Sequence, residues 1–408
     1  MPDRLILSQQ NEVNNYILKD LKLPLSKPQV QHFEMLVSGI IGCSDKRTIS
    51  NIVRSSFIPK DRSCTQKFLN SSPWDENLVN LRRKQYTETL LKQELKKTGD
   101  PLFVILDDTI NKKSKDSKHI SGMGYHYSHT TGKQEWSHNV QGLHCVAGNL
   151  SVPFDYELYL KKGYCSETGT AFKSKVEISM NLLRQLDLQK TYPAYFLIDS
   201  WYTSPKLINE AAKLGFQTIG ALKSNRIFYP AGIRQSLNEF VKYITDYDLD
   251  LVTVKEKQYK VYRYEGKMND LENAVILITW DVSSPNSEPK YLLSSDVSLD
   301  SQTIMEYYSK RWEIETSFRY LKDRLGFDHY QMRSIKAIKR FWLVQYIAYG
   351  YIEFYRYKNS SIFKLENLGT TIDHLKAFNL RNLVDYVYNC GKENVDLALV
   401  HKILRLVA

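Results

Sequence analysis

The sequence predicts a mixed α/β core flanked by helical regions, and three observations carry that expectation. Two short apolar runs, from Pro101 to Leu106 and from Ala194 to Ile198, each stop at an acid, as buried strands do at the carboxyl edge of a sheet. Around them, strand patterns alternate with amphipathic helix patterns, which is an α/β order. The stretches before Pro101 and after Ser301 lack that alternation and read as helices.

Residues 1–98 contain a periodic run around Val30 to Ile41, then SDKRTISNIVR, then SSPWDENLVNLRRKQYTETLLKQELKK. Ser44 and Ser72 suit helix N-caps, and Lys and Arg recur between the apolar positions. This helical domain is expected to bind DNA, although helix-turn-helix spacing is not evident. Residues 99–223 are the first part of the core. PLFVILDD is a strand, and a loop carrying Lys112, Lys113, Lys115 and Lys118 follows. HNVQGLHCVAG and LSVPFDYELYL are strands, AFKSKVEISMNLLRQLDLQ a helix, and AYFLIDS a strand. PKLINEAAKLG is a helix begun by proline and stopped by glycine, and FQTIGALK is the next strand. Three strands, a helix, a strand, a helix and a strand is the order of the ribonuclease H fold. Residues 224–296 alternate as a β-rich insertion, residues 297–330 return to the core as a helix, and residues 331–408 are a helical C-terminal region.

With 56 Lys and Arg against 45 Asp and Glu, the net charge is +11, which favours a polyanionic partner. The five cysteines are odd in number and far apart, with no C-x-x-C pair, which excludes a disulfide framework or zinc ribbon and points to a reducing compartment. The N-terminus has no signal-peptide core, and Phe341 to Phe354 is too short and polar to span a bilayer, so a soluble cytoplasmic protein with no membrane partner is expected.

Asp108 and Asp199 each end a strand, where open α/β sheets place their sites, although Asp at such a position also caps turns. Glu315 lies in a segment that also holds Tyr308, Arg311 and Lys322. At about 100° per residue these four share roughly 60° of one helix face. Ile314, Phe318, Leu321 and Leu325 gather on an adjacent face suited to packing. His119, His126, His129, His138 and His144 have a spacing that suits neither a helix nor a zinc knuckle.

The spacing of Tyr308, Arg311, Glu315 and Lys322 resembles the Tyr-Arg-Glu-Lys signature of the IS4-superfamily insertion-sequence transposases. LDDTINK and LIDSWYTS resemble that family's two upstream acidic blocks, so the resemblance spans about Pro101 to Gly326. It implies a DDE transposase in which Asp108, Asp199 and Glu315 hold two Mg²⁺ ions, with Mn²⁺ able to substitute. Carboxylates suit hard ions that keep waters in their shell. The acid directly before the threonine is the one implied, which selects Asp108 over Asp107; alternation along the strand sends the two to opposite sides. Tyr308, Arg311 and Lys322 are implied as contacts to phosphates at a cleaved transposon end. Tyr291 stands closest to the family's base-stacking tryptophan, with Trp280 and Trp201 as alternatives.

The expected function is therefore cut-and-paste transposition: end nicking, second-strand cleavage with or without a hairpin, and strand transfer. The partners are the double-stranded terminal inverted repeats and target DNA, engaged by a homodimer in a synaptic complex at a bacterial or archaeal nucleoid. A two-metal nuclease without strand transfer and a domesticated, non-catalytic DNA-binding protein are the alternatives.

Overall fold

Apolar runs closed by acids or turn residues become strands here, and apolar stripes spaced by three and four become helices. The computed structural model describes residues 8–56, 60–117, 119–268, 271–284 and 286–404. Lys118 of the expected loop, and Arg405, Leu406 and Val407 of the expected last helix, lie outside the described residues.

In chain order come α1 (Ser8–Asn15), α2 (Lys27–Gly42), α3 (Ile49–Arg54), α4 (Arg62–Asn70) and α5 (Glu76–Thr98). Strands β1 (Leu102–Lys112), β2 (Gly124–Ser128), β3 (Lys133–Ala147) and β4 (Leu150–Tyr159) follow. Next are α6 (Lys162–Thr168), α7 (Lys175–Leu183), β5 (Ala194–Ile198), α8 (Pro205–Lys213) and β6 (Gln217–Leu222). A small hairpin of β7 (Ile227–Phe228) and β8 (Gln235–Ser236) leads to α9 (Leu237–Phe240). Then come β9 (Asp250–Val254), β10 (Lys257–Met268), β11 (Leu271–Asp281) and β12 (Lys290–Ser294). The chain closes with α10 (Ser301–Ser309), α11 (Trp312–Arg319), α12 (Ile335–Phe363), α13 (Leu368–Lys392) and α14 (Leu397–Leu404). This is the mixed α/β architecture that the alternation predicts, with helices at both ends. Among the described residues no helix is long and apolar enough to cross a membrane, and all five cysteines are free.

The chain divides into two compact units, one of residues 1–90, 110–138 and 317–408, the other of residues 91–109 and 139–316. In the second, the strand order is β3-β1-β5-β6-β12-β11-β10-β9, with β4 paired to β3. β1, β5 and β6 are parallel at the centre, as buried, almost wholly apolar strands tend to be. The segment read as an insertion adds its strands to this same sheet, because β12 pairs antiparallel with β6 from Tyr291↔Leu222 to Ser294↔Ile219. That pairing covers the edge β6 would otherwise leave open.

Local expectations shift in three places. β2 forms inside the stretch read as a loop, paired with the first residues of β3. The helix read from AFKSKVEISMNLLRQLDLQ starts only at Lys175, where Ser174 and Glu177 make a reciprocal capping box. The helix carrying Glu315 is not continuous either. At its break the backbone N–H of Arg311 bonds to Tyr308 O, three residues back instead of four, and Tyr320–Arg324 widens into a π-turn.

The first unit is organised on α12, whose Arg340, Phe341, Trp342, Tyr346 and Ile347 are all buried. Thr48 caps α3, and Asp75 accepts the backbone N–H groups of Asn77 and Leu78 at the start of α5, so the caps fall on these residues instead of Ser44 and Ser72. Arg340 spends its donors on Glu76 Oε2 (2.8 Å) and on the carbonyls of Ser72 (2.9 Å) and Trp74 (2.5 Å), and its guanidinium stands 4.2 Å from the centre of the Trp74 ring. Arg340→Met should therefore destabilise the protein by about 3 kcal/mol, because it takes the donor from the Ser72 and Trp74 carbonyls and the Glu76 carboxylate together. Urea denaturation followed by tryptophan fluorescence measures this, and a loss below about 0.5 kcal/mol would remove Arg340 from the account.

Candidate active site

Five apolar residues, Leu102 to Leu106, are buried in β1 and five more, Ala194 to Ile198, in β5. The parallel register pairs Leu102 with Ala194 and Ile105 with Leu197. Continued by two residues, it sets Asp107 level with Asp199, and paired residues of a parallel ladder point to the same face. Asp108, one residue on, faces the other way.

The side chains follow that rule. Burial, then the charges of Asp199 and Asp108, push the Asp107 carboxyl up to about 7. Arg311 partly offsets this: its Nη1 lies 3.5 Å from Asp107 Oδ2, and its Nη2 donates to Glu315 Oε1 at 2.7 Å. Arg311 thus links the β1 acid to the helix acid, and its Nε is buried without a hydrogen-bond partner. The Tyr308 hydroxyl donates to the carbonyl of Ile198 (3.4 Å), the residue before Asp199, and burial raises its pKa to about 12. Asp199 Oδ1 accepts the backbone N–H groups of Trp201 (2.9 Å) and Tyr202 (3.1 Å), and its carbonyl accepts the Thr203 hydroxyl (2.7 Å). The turn is tight against β6, where a Cβ on Gly220 would stand 2.5 Å from Thr203 Oγ1.

Asp108 is engaged elsewhere. Its Oδ1 accepts the Tyr202 hydroxyl (2.8 Å), and its Oδ2 accepts Lys175 Nζ (2.9 Å) and the Asn139 side-chain amide. Gln141 donates in turn to the Tyr202 hydroxyl (2.8 Å) and to the Lys175 carbonyl (3.1 Å). Side-chain placement distinguishes the two acids: Asp108 accepts from three donors, while Asp107 shares its face with Asp199 and its arginine with Glu315. A sequence signal for this exists. Each apolar run is five residues long from its first paired residue, and the first acid after each run is Asp107 in one and Asp199 in the other.

Lys322 lies in the first unit, where it is largely buried and donates to the Ile110 carbonyl at 2.8 Å. Tyr291 is buried in an apolar cluster with Ile208, Leu222, Ile278 and Leu293, so it offers no face for a base to stack on. Trp280 packs against the same cluster. Trp201 is half exposed, with Lys175 Nζ 5.0 Å from its ring centre, and Trp312, which the sequence did not single out, is 62% exposed beside the Arg311 guanidinium. Of the loop lysines, Lys112 pairs with Glu135 (2.9 Å) and Lys113 is buried under the Tyr330 ring, so neither is a free phosphate contact. His138 and His144 are held neutral by burial and bonded to Tyr330 and Ser151.

Asp107, Asp199 and Glu315 offer oxygen donors only, the set a hard divalent cation takes. In this conformation Arg311 supplies the positive charge between Asp107 and Glu315, and among the described residues no three of His, Cys, Asp or Glu stand close enough together to hold a metal. The donor set fits such an ion by its chemistry.

A family model described as DDE superfamily endonuclease matches residues 23–237, just over half of the chain. The match holds Asp107, Asp108 and Asp199 and ends before the helix of Glu315. No curated protein matches the chain.

Because Asp107 holds its proton more tightly when folded than an unfolded Asp, near 3.9, the folded state binds more protons and loses stability as pH rises from about 4 to about 7. Asp107→Asn removes that loss. In EDTA it should raise stability near pH 8 by roughly 2 kcal/mol and give no gain near pH 4. Urea denaturation at both pH values checks this, and equal destabilisation at the two would contradict the assignment of a strained, buried acid.

Proposed function

We propose that this chain, which belongs to the DDE superfamily endonucleases, is an insertion-sequence transposase of the IS4 kind, with Asp107, Asp199 and Glu315 as its metal-holding carboxylates. The observation that carries the reading is the shared face of Asp107 and Asp199 at the ends of parallel strands, with Tyr308, Arg311 and Glu315 gathered beside them. Two Mg²⁺ or Mn²⁺ ions held there would supply activation of a water or 3′-hydroxyl and neutralisation of the leaving oxygen. The chain's own groups do the rest. Arg311 brings a planar guanidinium, a shape that suits a phosphate oxygen. Tyr308, pinned to the Ile198 carbonyl, fixes the Glu-bearing helix against the end of β5. Asp108 positions the site: bonded to Tyr202, Lys175 and Asn139, it ties the end of β1 to the turn that starts at Asp199. Trp201, two residues past Asp199 and exposed, takes the stacking role that Tyr291 cannot.

On this reading the chain acts as a dimer that holds two terminal repeats, in the cytoplasm at the nucleoid, and cuts and joins them to target DNA. A nuclease that cuts without joining is the second reading, favoured by the endonuclease description of the family.

A plasmid carrying the reading frame with its flanking DNA tests both. With Mg²⁺, the wild type should release the element and yield joined products, whereas cut ends without joining would establish the second reading. Asp107→Asn, Asp199→Asn and Glu315→Gln should each lower cutting by about a thousandfold or more. Asp108→Asn should retain at least about a tenth of it, since the amide keeps the Tyr202 bond. Full loss in Asp108→Asn with a near-normal Asp107→Asn would reverse the two assignments.

A further inference from the structure

The first unit contains a cleft of about 470 Å³ that the active-site reading does not use. One wall is α4, where Arg62, Gln66 and Asn70 recur every fourth residue and so line one helix face. The other wall is the segment that enters α12, with Gln331 and Arg333, and the floor is apolar at Met332 and Phe341. No Asp or Glu lines the cleft, and neither arginine side chain has an ion-pair partner among the described residues. Two guanidinia, three carboxamides and an apolar floor are donors and acceptors without negative charge.

The second wall is rigid. Lys113 Nζ donates to the Tyr330 carbonyl (2.6 Å) and to that of Asp328, Ser121 N donates to the Arg333 carbonyl (2.9 Å), and the Tyr330 hydroxyl is 2.6 Å from His138 Nδ1. Ser334 Oγ donates to Asn70 Oδ1 (2.9 Å), which ties the walls together; the Asn70 amide gives one N–H to the Gln66 carbonyl (3.0 Å) and keeps the other for a ligand. The backbone that carries Gln331 and Arg333 is therefore held in place before a ligand arrives.

We propose that this cleft binds one unpaired nucleotide of the DNA substrate, its phosphate between Arg62 and Arg333 and its base edge on Gln66, Asn70 and Gln331. The residue types match: guanidinium for phosphate, and carboxamides for the paired donors and acceptors of a base. The volume lies in the range of small-ligand pockets. The concavity selects the unpaired form, since duplex is read by helices or ribbons that protrude into a groove, whereas a base enters a pocket only when it leaves the stack. The inference rests on the reading of the chain as a DNA-processing enzyme.

The test is fluorescence anisotropy of the full chain in EDTA, with an end-labelled mixed-sequence single strand and the matching duplex as probes. Arg62→Ala and Arg333→Ala should each weaken single-strand binding about fivefold to tenfold and flatten the slope of log affinity against log salt by about 0.7. Duplex binding should change less than about twofold. Gln66→Leu should weaken the single strand while leaving the salt slope unchanged, because it removes a base contact and no charge. Equal losses for both probes would reduce the cleft to a general basic surface, and unchanged single-strand binding in all three variants would remove it altogether. Unlabelled deoxyadenosine monophosphate separates the two sources of this ligand: variants that lose the free nucleotide but keep the strand would overturn the assignment to DNA. If the wild type binds neither probe, the functional reading itself fails; if it binds both and the variants match it, only the cleft assignment falls.

Discussion

The parallel pairing of β1 with β5 is the constraint on which the proposed site depends. Both strands are apolar through five paired residues, so their register is fixed by burial, and a slip of one residue would drive a row of apolar side chains onto the wrong face. With that register fixed, Asp107 and Asp199 must end on the same face. Two acids in that position repel each other, and the burial of Asp107 adds to the cost, which is why its carboxyl is pushed up to about 7. Arg311 supplies positive charge beside Asp107 while holding Glu315.

The opposite face of β1 shows the same logic resolved differently. Asp108 meets Lys175, the Tyr202 hydroxyl and the Asn139 amide, so its charge is fully answered by the protein. Adjacent acids thus differ: one is buried beside other acids and a single arginine, the other accepts from three donors. Because Tyr202 also caps back to Asp199 through its backbone N–H, Asp108 steadies the turn that starts at Asp199.

Much of this is legible in the sequence. Apolar runs ending in acids gave the central strands, and the alternation of patterns gave the mixed sheet with helical ends. The burial of Ile314, Phe318, Leu321 and Leu325 follows from their spacing alone. What escapes is what depends on register and on partners distant in sequence. That Asp107 shares a face with Asp199 emerges only when the two runs are aligned from their first buried residue, a comparison that a motif centred on the threonine does not make. The break at Arg311 has no proline or glycine to announce it. Tyr291 resembles a stacking platform by position, but β12 pairs with both β6 and β11, which buries it. Lys113 reads as a loop cation, yet it lies beneath Tyr330 because two carbonyls there need a donor. Propensity and periodicity describe a residue's own neighbourhood, and these outcomes were decided by residues on other elements.

The claim at the centre is that Asp107, and not Asp108, faces the cation. Calorimetric titration of Mn²⁺ into the wild type, Asp107→Asn and Asp108→Asn measures it without DNA or turnover. The account predicts saturable binding to the wild type, its loss in Asp107→Asn, and its retention within about tenfold in Asp108→Asn, whose carboxylate serves the protein alone. Retained binding in Asp107→Asn with loss in Asp108→Asn would contradict it.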